Sequence, residues 1–379
     1  MAETPHAMTI ANEILGSAAI DEAYRMDAAE ALAVLIQAVF DDPDLPETAK
    51  EDALQRFRGD VAKVAALQHD RRTIPGIGDQ EIVAPLFILG LPRCGTSILQ
   101  SLMGSVPDAR TLLQWELTYF SPPPEPADPD DPRLTQLNAA IDAGAGEIKK
   151  MHPIGAIQAQ ECGPFLEMAF RSSMFCMDLR VEPYLEWYLT ADSTSAYQMH
   201  KAWLQHFQST QPGPRWVCKI QEHMYHVPEL LGVYPDAMLV QPHRDPVAVI
   251  ASISSLIGTL RQRTFGEVDA ATLGREMIHL WGSGLDKFMA FRRANPEVRV
   301  CDVAFRDIVA DPVGAVGRIH EFFDLPYPQA SADAVAAWWT ANPPHKDGKH
   351  VYSLGDWGLT ENEVLEAFDD YRSEYAEFV

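Results

Sequence analysis

Basic residues are scarce in this sequence. Lysine and arginine number 30 against 54 aspartates and glutamates, a net charge of -24. Such a field repels polyanions over a Debye length and beyond. General nucleic-acid binding is therefore not expected, and any anionic ligand must be held by a few basic side chains and backbone amides gathered in one place. Long apolar runs are also missing: no stretch of about eighteen apolar residues occurs, and the start "MAETPHAMTIANE" has neither the basic head nor the apolar centre of a secretory signal. The expectation is a cytoplasmic protein without an integral membrane segment. Cysteine is sparse and odd in number. Cys94, Cys162, Cys176, Cys218 and Cys301 show neither a disulfide framework nor a zinc-like pairing in sequence, so free thiols are expected.

What is present suits an ordinary globular core. The 379 residues are 47% hydrophobic, enough to fold without metals or disulfides. Leu54, Phe57, Val61, Val64 and Leu67 recur at steps of three and four, a helical period. "DDPDLPE" separates this helix from an Ala-rich one over roughly 11–40. Short apolar runs at 85–89, 215–220, 237–243 and 298–303 read as strands, and a helix is expected over 246–260. Strands alternating with helices predict an α/β fold, a P-loop-like, mainly parallel sheet flanked by helices. Residues 1–80 form a helical N-terminal extension in this reading and 81–379 the main domain, with a helical insert about 121–212 that begins at the proline-rich, acidic "SPPPEPADPDDP".

Chemistry first shows in "FILGLPRCGTSILQSLM", Phe87 to Met103. Against the nucleotide-binding template Gly-x4-Gly-Lys-Ser/Thr it fits at Gly90, Gly95 and Ser97, but Thr96 stands where the lysine belongs. A glycine-rich turn entering a helix gathers backbone N–H groups at the positive end of the helix dipole. The missing lysine argues against ordinary ATP or GTP hydrolysis, and Arg93 can supply a cation from another direction. A plain tight turn before a buried helix is the alternative. Cys94 is read as a small packing residue, because Gln100 rather than arginine occupies the position that a Cys-x5-Arg phosphatase requires. A second place lies in "QPHRDPVAVIASISSL": Arg244 leaves a predicted strand and Ser252 follows about two helical turns later, so the pair can hold a phosphate apart from the first loop. A solvated helix start capped by Asp245 is the simpler reading of that segment.

Four segments, "PLFILGLPRCGTSILQSLM", "WVCKIQEH", "YPDAMLVQPHRDPVAVIASISSL" and "HKDGKHVYSLGDWGL", stand in the order and spacing of one known family. From about residue 85 to 375 the chain resembles the bacterial branch of the sulfotransferases. The resemblance implies that the loop Arg93, Cys94, Gly95, Thr96 and Ser97 holds the 5'-phosphosulfate end of 3'-phosphoadenosine 5'-phosphosulfate (PAPS). It implies that Arg244 and Ser252 hold the 3'-phosphate, and that 3',5'-ADP (PAP) is the product. Near the C-terminus Lys346, His350 and Tyr352 match the part of the family's pattern that lies near the donor's adenosine and 3'-phosphate. A donor without a γ-phosphate needs neither the template's lysine position nor its magnesium. The chain departs from the family in having Cys94 where serine is usual and Ser97 where threonine is common.

For the transfer itself, Lys219 matches a lysine after a strand in this family and would stabilise the leaving oxygen as charge develops; a surface lysine is the plain alternative. Two residues compete as proton acceptor. His223 matches the histidine of a bacterial Lys-x-Pro-x-His pattern, although Gln221 replaces the proline, and histidine titrates near neutrality. Glu116 resembles a glutamate that follows the phosphate loop in tyrosylprotein sulfotransferases, and its apolar neighbours would raise its pKa toward a useful range. No metal is expected, because His223 and His226 in "EHMYH" lack the spacing of a metalloprotease site. The aromatic and Met-rich "ECGPFLEMAFRSSMFCMDL" and "PYLEWYL" read as core or as the wall of an acceptor pocket. The expected acceptor is a small, mainly apolar alcohol, phenol or lipid. A non-catalytic nucleotide-binding regulator and a P-loop kinase are the competing readings, and the oligomeric state is left open.

Overall fold

The computed structural model describes residues 5–146, 151, 154–343 and 352–379. Among these residues five strands form one parallel sheet: β1 (Leu86–Ile88), β2 (Ala109–Arg110), β3 (Arg215–Lys219), β4 (Met238–His243) and β5 (Val300–Ala304), in the order β2-β3-β1-β4-β5. Alternation along each strand divides the core. Leu86, Ile88, Val217, Met238 and Val240 face one side, whereas Phe87, Trp216, Cys218 and Leu239 face the other. Both faces are thus covered, as a parallel sheet with helical crossovers requires.

The N-terminal region contains three helices, α1 (Pro5–Leu15), α2 (Glu22–Asp41) and α3 (Glu47–Thr73). The single Ala-rich helix expected over 11–40 is broken around Gly16–Ile20, which the chain's helical period alone does not reveal. These helices share one core with the middle of the chain: Leu32, Leu35, Phe57 and Val61 join Phe165, Phe170 and Phe175. Tyr24 donates to Met168 O at 2.6 Å, Arg171 pairs with Asp27 and Arg180 with Asp42. The extension therefore packs behind the aromatic 163–190 region, whose large side chains are core.

The site follows from the centre of the sheet. β1 is flanked by β3 and β4, with Ile88 level with Lys219 on one side and Val240 on the other. The loop leaving β1 enters helix α4 (Thr96–Gly104), and β4 runs into the helix Pro246–Phe265. Parallel strands end together, so the 90–97 loop, Lys219 and Arg244 meet at the carboxyl edge, where open α/β sheets bind ligands.

Candidate active site

The loop is built by its backbone. Gly95, at the N-cap of α4, has φ +81°, and a Cβ there would meet Phe305 at 2.8 Å. Arg93 also takes a positive φ of 63°, a conformation non-glycine residues seldom adopt without a reason. The first-turn amides of α4 have no helical partners by geometry. Cys94 is fully buried and burial pushes its thiol up to about 12, so it is a packed side chain with a neutral sulfur.

The two phosphate-type motifs are in direct contact. Arg93 Nε donates to Ser252 Oγ at 3.0 Å, and Arg244 Nη1 donates to Arg93 O at 2.8 Å. Arg244 also lies over the Phe305 ring, 4.5 Å from its centroid. Among the described residues neither arginine is salt-bridged to a carboxylate, and Arg93 is lowered by burial, with Tyr352 opposing and Arg244 adding to the shift. Two arginines in contact, with no salt-bridged carboxylate among the described residues, in a chain of net charge -24, make a place for a multiply charged anion. Lys346 and His350 lie outside the described residues.

Across the loop, Lys219 Nζ donates to Ser97 Oγ at 3.0 Å and pairs with Glu161. Gln221 Nε2 donates to Thr96 Oγ1 at 3.2 Å, so both first-turn hydroxyls of α4 are tied to the exit of β3. Glu161 arrives on a segment laid along α4, where Gln100 Nε2 donates to Gln160 O at 2.8 Å. Lys219 keeps only 1% of its side chain exposed and Glu161 keeps 20%, so the carboxylate is the member of the pair that reaches solvent. Sequence reasoning missed Glu161. It lies 58 positions before Lys219, and the one available signal was its place directly before the Cys-Gly-Pro turn that redirects the chain toward the strand.

Both expected bases are buried. Glu116 accepts from Arg110 Nη2 at 2.7 Å and from Leu113 N at 2.8 Å, capping the short helix Gln114–Thr118. Burial raises its carboxyl, and Arg110 opposes the shift. Its oxygens are thus committed to holding that helix. His223 is fully buried, with Nδ1 3.0 Å from Tyr197 Oη and Phe87 edge-on at 5.0 Å. Burial lowers it, so it is a neutral imidazole inside the core.

No helix among the described residues is long and apolar enough to cross a membrane. The sequence pattern of the "Sulfotransferase family" matches residues 85–329. The crystal structure of sulfotransferase STF1 from Mycobacterium tuberculosis H37Rv is 27% identical, superposes with a TM-score of 0.80, and the match covers 97% of this chain and 99% of that one. Sulfotransferase STF9 from Mycobacterium avium, 24% identical with a TM-score of 0.83 over 99% of this chain and 97% of its own, shares the fold. No curated protein matches the sequence.

Proposed function

The chain belongs to the sulfotransferase family, and from that premise we propose that it moves a sulfuryl group from PAPS to a hydroxyl of a small, mainly apolar acceptor. The observation that carries this reading is the pair Arg93 and Arg244, touching at the exits of β1 and β4 and salt-bridged to no described carboxylate. A donor with anionic groups at both ends fits such a pair, and the close approach enforced at Gly95 fits an anion laid against bare backbone. Bound there, PAPS supplies the activated sulfuryl group. The loop amides of 93–97 and Arg93 hold its 5' end, and Arg244 with Ser252 holds its 3'-phosphate.

Lys219, fixed by Ser97 and Glu161, is the cation that neutralises charge on the leaving oxygen. Glu161 takes the acceptor hydroxyl's proton, since it is the partly exposed carboxylate next to that lysine. Glu116 and His223 then serve the architecture around the site. An apolar acceptor suits the net charge of -24, which disfavours polyanionic substrates.

Calorimetric titration with 3',5'-ADP, with and without magnesium, tests the donor site. Tight, metal-independent binding is expected, weakened by at least about 1.5 kcal/mol in Arg244→Ala, the scale of a charged hydrogen bond. Preference for Mg-ATP, or indifference to Arg244→Ala, would reject the proposal.

A further inference from the structure

Behind the catalytic edge, on the opposite face of the sheet from α4, three potential metal ligands converge. One ligand atom from each of Cys162, His200 and His223 lies within 4.8 Å of the others, and all three residues are buried. They come from three places in the fold: Cys162 at the N-cap of the helix Gly163–Glu167, His200 on the helix Thr194–Gln208, and His223 in the 3-10 turn Gln221–Tyr225. The Cys218 thiol, on β3, lies against that of Cys162. A small cavity lined by Glu161, Cys162, Phe165 and Cys218 adjoins the cluster.

The imidazoles are oriented as ligands are. His200 Nδ1 sits 2.7 Å from Tyr234 Oη, and His223 Nδ1 sits 3.0 Å from Tyr197 Oη. With Nδ1 engaged, each ring leaves a buried Nε2 outside any regular hydrogen bond, and both imidazoles interact with the Cys162 thiol. A polar contact that fixes the far nitrogen of a histidine is the usual companion of metal ligation.

We propose that Cys162, His200 and His223, completed by Cys218, form a buried structural site for one zinc ion. Sulfur and imidazole donors in a two-and-two set suit tetrahedral Zn2+. Two thiolates cancel the charge of the dication, which lets it reside among Phe87, Phe165, Tyr197 and Tyr234 without an uncompensated charge in an apolar interior. The ion would clamp the helical insert to β3 directly behind the active pair, because Cys162 follows Glu161, Cys218 precedes Lys219, and Cys162 N donates to Lys219 O at 2.9 Å. The spacing that excluded zinc in the sequence counted neighbours along the chain, whereas this set is assembled by the fold.

The full chain is produced with zinc or with cobalt supplied during synthesis, since the cluster is enclosed, and its metal content is measured by mass spectrometry after gel filtration in chelator. About one zinc per chain is expected, as for a closed four-ligand site, and the cobalt form should show thiolate-to-metal charge-transfer absorption with tetrahedral d–d bands. Cys162→Ser and His223→Asn should lower the bound metal at least tenfold, whereas Cys176→Ser, a buried cysteine outside the cluster, should not. The wild-type cobalt spectrum decides the matter even where a variant fails to fold. Only trace metal in folded wild-type protein from both preparations, or a cobalt spectrum without thiolate absorption, overturns the site. Neither readout depends on nucleotide binding or turnover.

Discussion

Glu161 and Lys219 form the pair on which the proposed chemistry turns. Glu161→Gln keeps the side chain's shape and removes its basicity; kcat is expected to fall by about 10²–10⁴-fold, the range of a lost general base, with 3',5'-ADP affinity retained. Steady-state kinetics with a phenolic acceptor beside calorimetry checks both halves, and an unchanged kcat would return the role to another group. A second carboxylate governs stability. Burial pushes Glu222 up from its ordinary 4.5 to about 8, against hydrogen bonds from Ser173 and Ser172. The folded state therefore holds a proton that the unfolded chain releases, so this contribution to stability is complete below about 4.5 and is lost as pH rises toward about 8. Glu222→Gln, which resembles the protonated acid, should flatten the fall of Tm across that interval. Of these residues, only the position of Lys219 at a strand end was legible. Its contact with Glu161 was not, because it joins segments that no local pattern relates, and neither was the pairing of Glu116 with Arg110, since apolar neighbours in sequence do not disclose an arginine across the turn.

At the scale of elements, the strand–loop–helix unit of β1 and α4 was readable almost in full. Its glycines, its apolar run and its first-turn hydroxyls are all local features, and the structure keeps them within one turn. Gly95→Ala is expected to destabilise the protein by more than about 1 kcal/mol, since φ is positive and the new methyl meets Phe305, and to weaken 3',5'-ADP binding as well. Thermal denaturation and titration of the same variant separate the two effects; wild-type values in both would show that the loop does not need this conformation. Other elements escaped local reading for identifiable reasons. The two-residue β2 has no period to detect, and pairs only because β3 lies beside it. The helix beginning at Pro246 runs on to Phe265, past the expected 260, because Ile257 and Arg261 still find buried partners, the latter donating to Cys176 O.

For the whole molecule, the N-terminal helices and the insert share a single core, as Phe57 shows by meeting both Phe170 and Phe175 edge-on at 5.9 and 5.8 Å. A chain lacking residues 1–80 would expose that surface, so it is expected to lose cooperative unfolding and to aggregate on expression. Differential scanning calorimetry of the truncated chain checks this, and a sharp transition near that of the full chain would mean that the extension is a separable unit. The sequence by itself determined the parallel α/β class, the loop after β1 and the basic positions at the strand ends, because periodicity and turn chemistry act over a few residues and strand ends of a parallel sheet coincide. Only the tertiary structure decided that Arg93 touches Ser252, that Glu161 meets Lys219, and that Cys162, His200 and His223 share one enclosed point. Those contacts depend on crossovers of many tens of residues, whose paths are set by how whole helices bury their faces.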